Sequence, residues 1–201
     1  MNRLKILHIT AWYPTDHRPA NGIFVREHIR AAALNHDCTV WAFYDHPDFA
    51  TPKFEVLESN EYGLKTFRTF LPFGGLPKVR YLVRLRRLLK FGAGIIKSER
   101  PDVIHAHTFH AAVPAVILGR RFGIPAVMTE HWSGFQQGLL NRADKLKLLY
   151  ALRRVKVVMP VSSFLAEIMK GYGVAADFEV VPNVVDGEVF YPPPEPVARG
   201  D

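Results

Sequence analysis

Val103-Ile-His-Ala-His107, then AAVPAVILGRRF over 111–122, then Ile124-Pro-Ala-Val-Met-Thr129: these three stretches decide how the chain folds. The first and third are short apolar runs and read as buried strands. The second spans about three turns of helix and ends at Gly123, a residue suited to a helix C-terminus. The beat continues downstream. Residues 141–154 read as a helix, 155–161 as a strand, 163–172 as a helix, and Phe178-Glu-Val-Val181 as the last strand.

Upstream the same grammar is looser. Lys5-Ile-Leu-His-Ile-Thr10 reads as the first strand, and Gly22 opens a helix over 23–34. Cys38 to Tyr44 is β-branched and aromatic and reads as the second strand. Asp45 to Gly63 carries prolines and acids and reads as an irregular connection. Leu64 to Leu71 reads as a third strand, and a long helix follows from Lys78 to Arg100.

Strands alternating with helices predict right-handed crossovers and a mostly parallel sheet with both faces covered. The expectation is an α/β, Rossmann-like doubly wound sheet of about seven strands. Such sheets bind ligands beyond the carboxyl ends of their strands. That selects the loops after Thr10, His107, Thr129 and Val161 as the functional rim.

Composition narrows the class. The chain has 201 residues, 48% hydrophobic and 22% charged, which suits one folded domain with a linker. Its single cysteine, Cys38, excludes an internal disulfide and reads as a buried, inert thiol in a reducing compartment. No apolar run approaches the ~18 residues of a membrane span. No secretory signal is visible. A cytoplasmic protein is expected, with peripheral contact at the inner face of a membrane left open. The net charge of +7 favours an anionic partner. Nucleic acid is not expected, because no recognition-helix, RNA-binding or zinc-finger pattern accompanies the charge.

Four features could carry chemistry. The loop Pro14–Gly22 ends at a helix N-terminus, which attracts phosphate, and Gly22 permits close backbone approach. Thr129-Glu130-His131-Trp132 follows a strand and so lies on the rim, where an imidazole can donate hydrogen bonds or stabilise charge. His105 and His107 alternate onto one strand face, with His110 nearby. No cysteine or carboxylate stands beside them at zinc spacing, so no metal is expected. Finally, the long helix separates into two faces. Tyr81, Leu82, Leu85, Leu88, Leu89, Ile95 and Ile96 share one. Arg80, Arg84, Arg86, Arg87, Lys90 and Lys97 share the other. That basic face is either plain solvated surface or a contact for an anionic membrane, with Arg80, Arg84, Arg87 and Lys90 as its contacts.

Taken in order, Lys5-Ile-Leu-His-Ile, Tyr13-Pro14 before a glycine-led helix, Pro101-Asp-Val-Ile-His-Ala-His107, Thr129-Glu-His131, Val161-Ser162-Ser163 and Val181-Pro-Asn-Val-Val-Asp186 with Phe190 and Pro192 are specific together. The chain resembles the N-terminal domain of family 4 retaining glycosyltransferases over essentially its whole length. The resemblance implies one half of a GT-B fold: residues 1–182 as the acceptor-side domain and 183–201 as the linker to a donor-binding domain. It implies sugar transfer from a nucleotide-sugar donor to a glycan, lipid-linked or small-molecule acceptor, with retained configuration and no metal or other cofactor.

Carried over by position, Gly22 with Asn21 faces the donor diphosphate, and His131 is the catalytic candidate near the transferred sugar. His107, Glu130, Trp132 and Ser162 are rim or acceptor candidates. The family loop usually has two adjacent glycines, where this chain has Asn21-Gly22, and Val184 stands where glycine is common. The family's downstream pair of glutamates does not occur before Asp201, so this half alone is expected to be inactive. A Rossmann-like module that binds a phosphorylated ligand or polyanion without chemistry remains the alternative.

Overall fold

The computed structural model describes residues 2–44, 51, 53–72, 76–187 and 189–191. Pro192 and the rest of the expected linker to 201 lie outside them, as do 45–50 and 73–75. The elements are β1 Lys5–Thr10, α1 Ile23–Ala33, β2 Asp37–Tyr44, β3 Glu55–Glu61, β4 Leu64–Phe70, α2 Pro77–Glu99, β5 Val103–His107, α3 Phe109–Phe122, β6 Ala126–Glu130, α4 Arg142–Leu152, β7 Val158–Pro160 and α5 Ser163–Lys170. They build one sheet in the order β3-β4-β2-β1-β5-β6-β7. Every pairing is parallel except β3 with β4. This is the Rossmann-like doubly wound arrangement expected from the alternation of strands and helices.

β1 lies at the centre, and Leu7 and Ile9 are completely buried there. The chain first builds outward from β1 to β2 and β4, then α2 carries it across to β5 on the other side of β1. The strand order therefore reverses between β1 and β5, and the crevice at their carboxyl ends is the natural ligand position.

Two expectations fail locally. The stretch 45–63, read as irregular, contains β3, paired antiparallel with β4. Its sequence, EVLESNE, offers little apolar alternation because an edge strand buries few side chains. The missed signal is the tight turn: Tyr62 and Gly63 both have positive φ, 53° and 77°, as a two-residue hairpin with the twist of its strands requires. Conversely, 178–181 forms no strand. It makes one isolated bridge, Phe178 to Val158. β7 is short, and Pro160 at its end supplies no N–H for further pairing.

Trp41 anchors the α2 face of the sheet, completely buried, with its indole N–H donating to Thr69 Oγ1 at 3.1 Å. A Cβ on Gly92 would come within 2.6 Å of Trp41 and Leu118. Glycine there lets α2 settle onto the indole. Leu88, Ile95 and Ile96 are buried as the helical period predicts. The apolar face does not continue toward the helix start, however. Leu82 is 65% exposed, and Tyr81 is also exposed.

Candidate active site

The site begins where β1 ends. Thr10 Oγ1 donates to the Trp12 carbonyl at 2.8 Å and accepts from the Trp12 N–H at 3.0 Å, turning the chain sharply. Tyr44 OH donates to the Tyr13 carbonyl at 3.2 Å, and the Asn21 amide donates to the same oxygen at 3.4 Å. Gly22 then adopts left-handed backbone, φ 69° and ψ 26°. A Cβ there would lie 2.3 Å from the Trp12 carbonyl oxygen. Glycine is thus required first by the chain's own backbone. α1 starts with no side-chain cap and no acidic residue in its first turn, so its positive end is not neutralised from within.

α1 leans on His131. Phe24 and His28, four residues apart on one helix face, place their rings 4.8 and 5.1 Å from the His131 ring. The helix opened by Gly22 therefore packs against the histidine that follows β6, although over a hundred residues separate them.

Behind His131 runs a ladder of imidazoles. Register sets His8 on β1 opposite His105 on β5. His105 and His107 stack at 4.3 Å on one face, as strand alternation requires. His8 Nδ1 and His107 Nε2 are 3.1 Å apart, and His107 Nδ1 and His131 Nε2 are 3.4 Å apart. His131 Nδ1 meets Asn183 Oδ1 at 3.0 Å. That oxygen only accepts, so His131 carries its proton on Nδ1. Nε2 is then a lone pair that accepts from His107 Nδ1, and His107 Nε2 accepts from His8 Nδ1. One tautomer runs through all three rings. His8 Nε2 ends the series buried and without a partner.

Burial keeps these rings neutral. Desolvation, then neighbouring histidines, hold His8 and His107 well below the usual imidazole range. The same causes bring His105 down to about 3. Desolvation lowers His131 to about 4, with His28 adding to it and Asn183 opposing. Neutral imidazoles are metal ligands, and nitrogens of His8, His105 and His107 lie within 4.8 Å of one another. Of these nitrogens, His8 Nδ1 and both of His107 are engaged within the ladder, and His105 Nε2 meets Thr129 Oγ1 at 2.7 Å, while His8 Nε2 has no partner.

Glu130 and His107 were expected at the rim, and the structure corrects both. Each is fully buried. The Glu130 carboxylate accepts from three backbone N–H groups: Phe109 at 2.9 Å, His131 at 2.9 Å and Trp132 at 3.0 Å. It braces the His131 turn to the start of α3. Desolvation raises it to about 7, while the three backbone bonds pull it down. Ser162 is the N-cap of α5, its hydroxyl accepting from the Leu165 N–H at 3.2 Å. Trp132 stays half-buried against Phe109 and Phe135. Thr108, between His107 and α3, holds φ 71° and ψ 154° with a buried, unpartnered hydroxyl. That backbone costs about 1–3 kcal/mol.

The expected basic face of α2 does not form one surface. Arg84 donates to the Pro72 carbonyl through Nη2 and Nε, at 2.9 and 3.1 Å, and lines a small cavity with Arg80. Arg87 and Lys90 line a different, apolar recess with Phe54, Phe67 and Phe91. Cys38, expected to be buried, is half-buried at the edge of β2's core face, and its thiol is pushed up to about 11 by that burial. Among the described residues no helix is long and apolar enough to cross a membrane.

His8, His28 and Asn183 escaped the sequence reading as site residues. His8 was legible only through the β1–β5 register, and His28 only once α1 was docked on His131. Asn183 stood in a motif read purely as linker.

Comparison with known proteins bears on the fold and the family. The family model described as Glycosyltransferase Family 4 matches residues 22–189. A glycogen synthase of Mycobacterium tuberculosis is 30% identical over 120 residues, covering 56% of this chain and 28% of that protein. Sucrose-phosphate synthase from Thermosynechococcus elongatus superposes with a TM-score of 0.69 at 16% identity, over 94% of this chain and 50% of that one. Anabaena Alr3699/HepE in complex with UDP and glucose gives 0.64 at 16%, over 96% and 47%. These likenesses show the fold. The chain spans about half the length of these solved structures and 28% of the synthase.

Proposed function

Because the chain belongs to glycosyltransferase family 4, we propose that it is the acceptor-side half of a retaining glycosyltransferase. In this reading residues 1–182 form that domain, and 183–201 lead toward a domain that binds most of the donor. The donor is a nucleotide sugar, a reading supported by the UDP and UDP-glucose in the HepE complexes. The acceptor is a glycan, lipid-linked or small-molecule hydroxyl.

The observation that carries the reading is the packing of the Gly22-led helix against His131 at the carboxyl edge of β6. The diphosphate lies over the unneutralised start of α1, near Asn21 and Gly22. The bond from the anomeric carbon to the diphosphate oxygen breaks. The acceptor oxygen bonds to that carbon from the same face, and its proton passes to the leaving diphosphate. His131 is neutral near pH 7, so it acts by hydrogen bonding rather than as a cation: its Nε2 is engaged by His107, and its Nδ1–H, held by Asn183 in the absence of substrate, is the donor that turns to the transferred sugar. Glu130 holds its backbone and Asn183 its tautomer. The chemistry requires no metal.

Membrane contact belongs to the same proposal. Leu76, Val79, Leu82 and Val83 are exposed at the start of α2, beside Arg80. Such an apolar and basic surface suits a peripheral position at the inner face of an anionic membrane.

The test is His131→Ala in the full-length transferase. Turnover, read as nucleotide release, should fall on the order of 10²–10³-fold, as for removal of one preorganised donor, with the circular dichroism spectrum unchanged. Near-normal turnover would remove His131 from the mechanism and favour a non-catalytic binding module.

A further inference from the structure

We infer that Arg30 is a positioning residue for the proposed transfer: through Asp186 it clamps the chain beyond α5 onto α1, so that Asn183 stays on His131. The inference rests on the transfer reading above. Asn183 sits on an exposed stretch, and among the described residues 182–185 make no backbone hydrogen bond. The stretch is tied at its two ends instead. At the near end the Val181 N–H donates to the Pro160 carbonyl at 3.1 Å. At the far end the Asp186 carboxylate meets Arg30 Nη2 at 3.5 Å, while the Asp186 carbonyl accepts from the Phe190 N–H at 2.8 Å. Between the stretch and α1 lies a cavity of about 380 Å³, lined by Glu27, Arg30 and Leu34 on one helix face and by Val184, Val185 and Asp186 opposite. Little apolar packing closes that gap, since Leu34 and Val185 are 77% and 72% exposed.

Arg30 is prepared for this contact. Its guanidinium also meets the Glu27 carboxylate at 2.7 Å and lies 4.9 Å over the Tyr62 ring at the β3–β4 turn. A side chain already fixed by two partners loses little freedom in meeting a third, and the planar fork of arginine can serve two carboxylates. Asn183 depends on such help. One amide hydrogen bond contributes too little to order an exposed stretch of backbone by itself. With Val181 and Asp186 both tied, only the short span between them has to be ordered. The Asn183 amide oxygen can then keep its 3.0 Å contact with His131 Nδ1. The Nδ1–H form of His131 is the one that offers a donor to the sugar. The clamp keeps the ring in that form before substrate arrives, although Arg30 touches neither the ring nor the substrate.

The experiment is histidine-ring nitrogen NMR of the chain near pH 7, without donor, which reports the ring nitrogen of His131 that carries hydrogen. In the wild type it should be Nδ1. Arg30→Gln and Asp186→Asn should each lower the ratio of the Nδ1–H to the Nε2–H form about threefold, within the worth of one hydrogen bond. Arg30→Lys, which keeps the charge, should retain most of the ratio. The double variant Arg30→Gln with Asp186→Asn should fall no further than either single one, because both remove the same contact. Hydrogen on Nε2 in the wild type, a ratio unchanged in both single variants, or losses that add, overturns the clamp. In the full-length transferase Arg30→Gln should lower kcat in the same proportion and leave the donor KM unchanged. A raised KM with normal kcat overturns the positioning role. Because the tautomer is read without transfer, the clamp and the transferase reading fail separately.

Discussion

The two ends of the sheet treat polar groups in opposite ways. At the amino ends of the central strands a cavity of about 420 Å³ opens, lined by Arg3, Lys5, Asp37, Lys65 and Glu99. There charge answers charge in water: Arg3 meets Asp37 at 2.9 Å, and Lys65 meets Glu99 at 2.8 Å. At the carboxyl ends the polar groups are dry. Four imidazoles and a carboxylate lie within or behind the His131 turn, and two of their neighbours carry unpartnered buried atoms. The amino end has more space and less stored free energy. An open cavity by itself does not mark the site. The cost of keeping titratable groups out of water points to the carboxyl end.

That contrast can be broken by acid. His8, His105, His107 and His131 have folded pKa values below the usual 6.5. The unfolded chain therefore binds their protons more readily. Their contribution is fully present above pH 6.5 and is lost as pH falls toward the folded values. Glu130 runs the other way. Raised to about 7, its contribution is complete below its unfolded value and lost as pH rises to 7. Four groups outweigh one, at about 1.4 kcal/mol per group and pH unit. Urea unfolding at pH 5 should show on the order of 5 kcal/mol less stability than at pH 7. A flat profile would mean that the ladder is wet.

A smaller effect is expected at the brace. Glu130→Ala strands three buried N–H groups and should cost on the order of 3 kcal/mol or more in urea unfolding. A loss under about 1 kcal/mol would show that the His131 turn finds other partners. The smallest effect belongs to the amino end. Arg3→Ser removes an exposed pair and should change stability by less than about 1 kcal/mol, fading further at high salt. A larger loss there would erase the distinction between the two ends.

The sheet was legible because its inner strands are nearly continuous apolar runs punctuated by Gly and Pro. β3 was not, because an edge strand needs no such run. The site was legible as far as the rim rule reaches, to Gly22 and His131. Side-chain direction was beyond it. Glu130 and His107 follow the same strands as expected, yet both point inward, and sequence position cannot tell a residue at the rim from one just beneath it. The basic helix failed for a related reason. Helical period sorts residues by angle, but α2 lifts away from the sheet toward its start, so one angular face borders two different recesses.

Asn183 gives the structure a lever. It sits beyond the last helix, on a stretch held by few backbone bonds, yet its amide oxygen decides where three hydrogens reside. Were that amide turned end for end, it would offer N–H to His131, and the hydrogens on His131, His107 and His8 would each have to move to the opposite nitrogen. A small twist of the chain at residue 183 is thereby converted into a change of donor and acceptor at the crevice, with no ring having to leave its place.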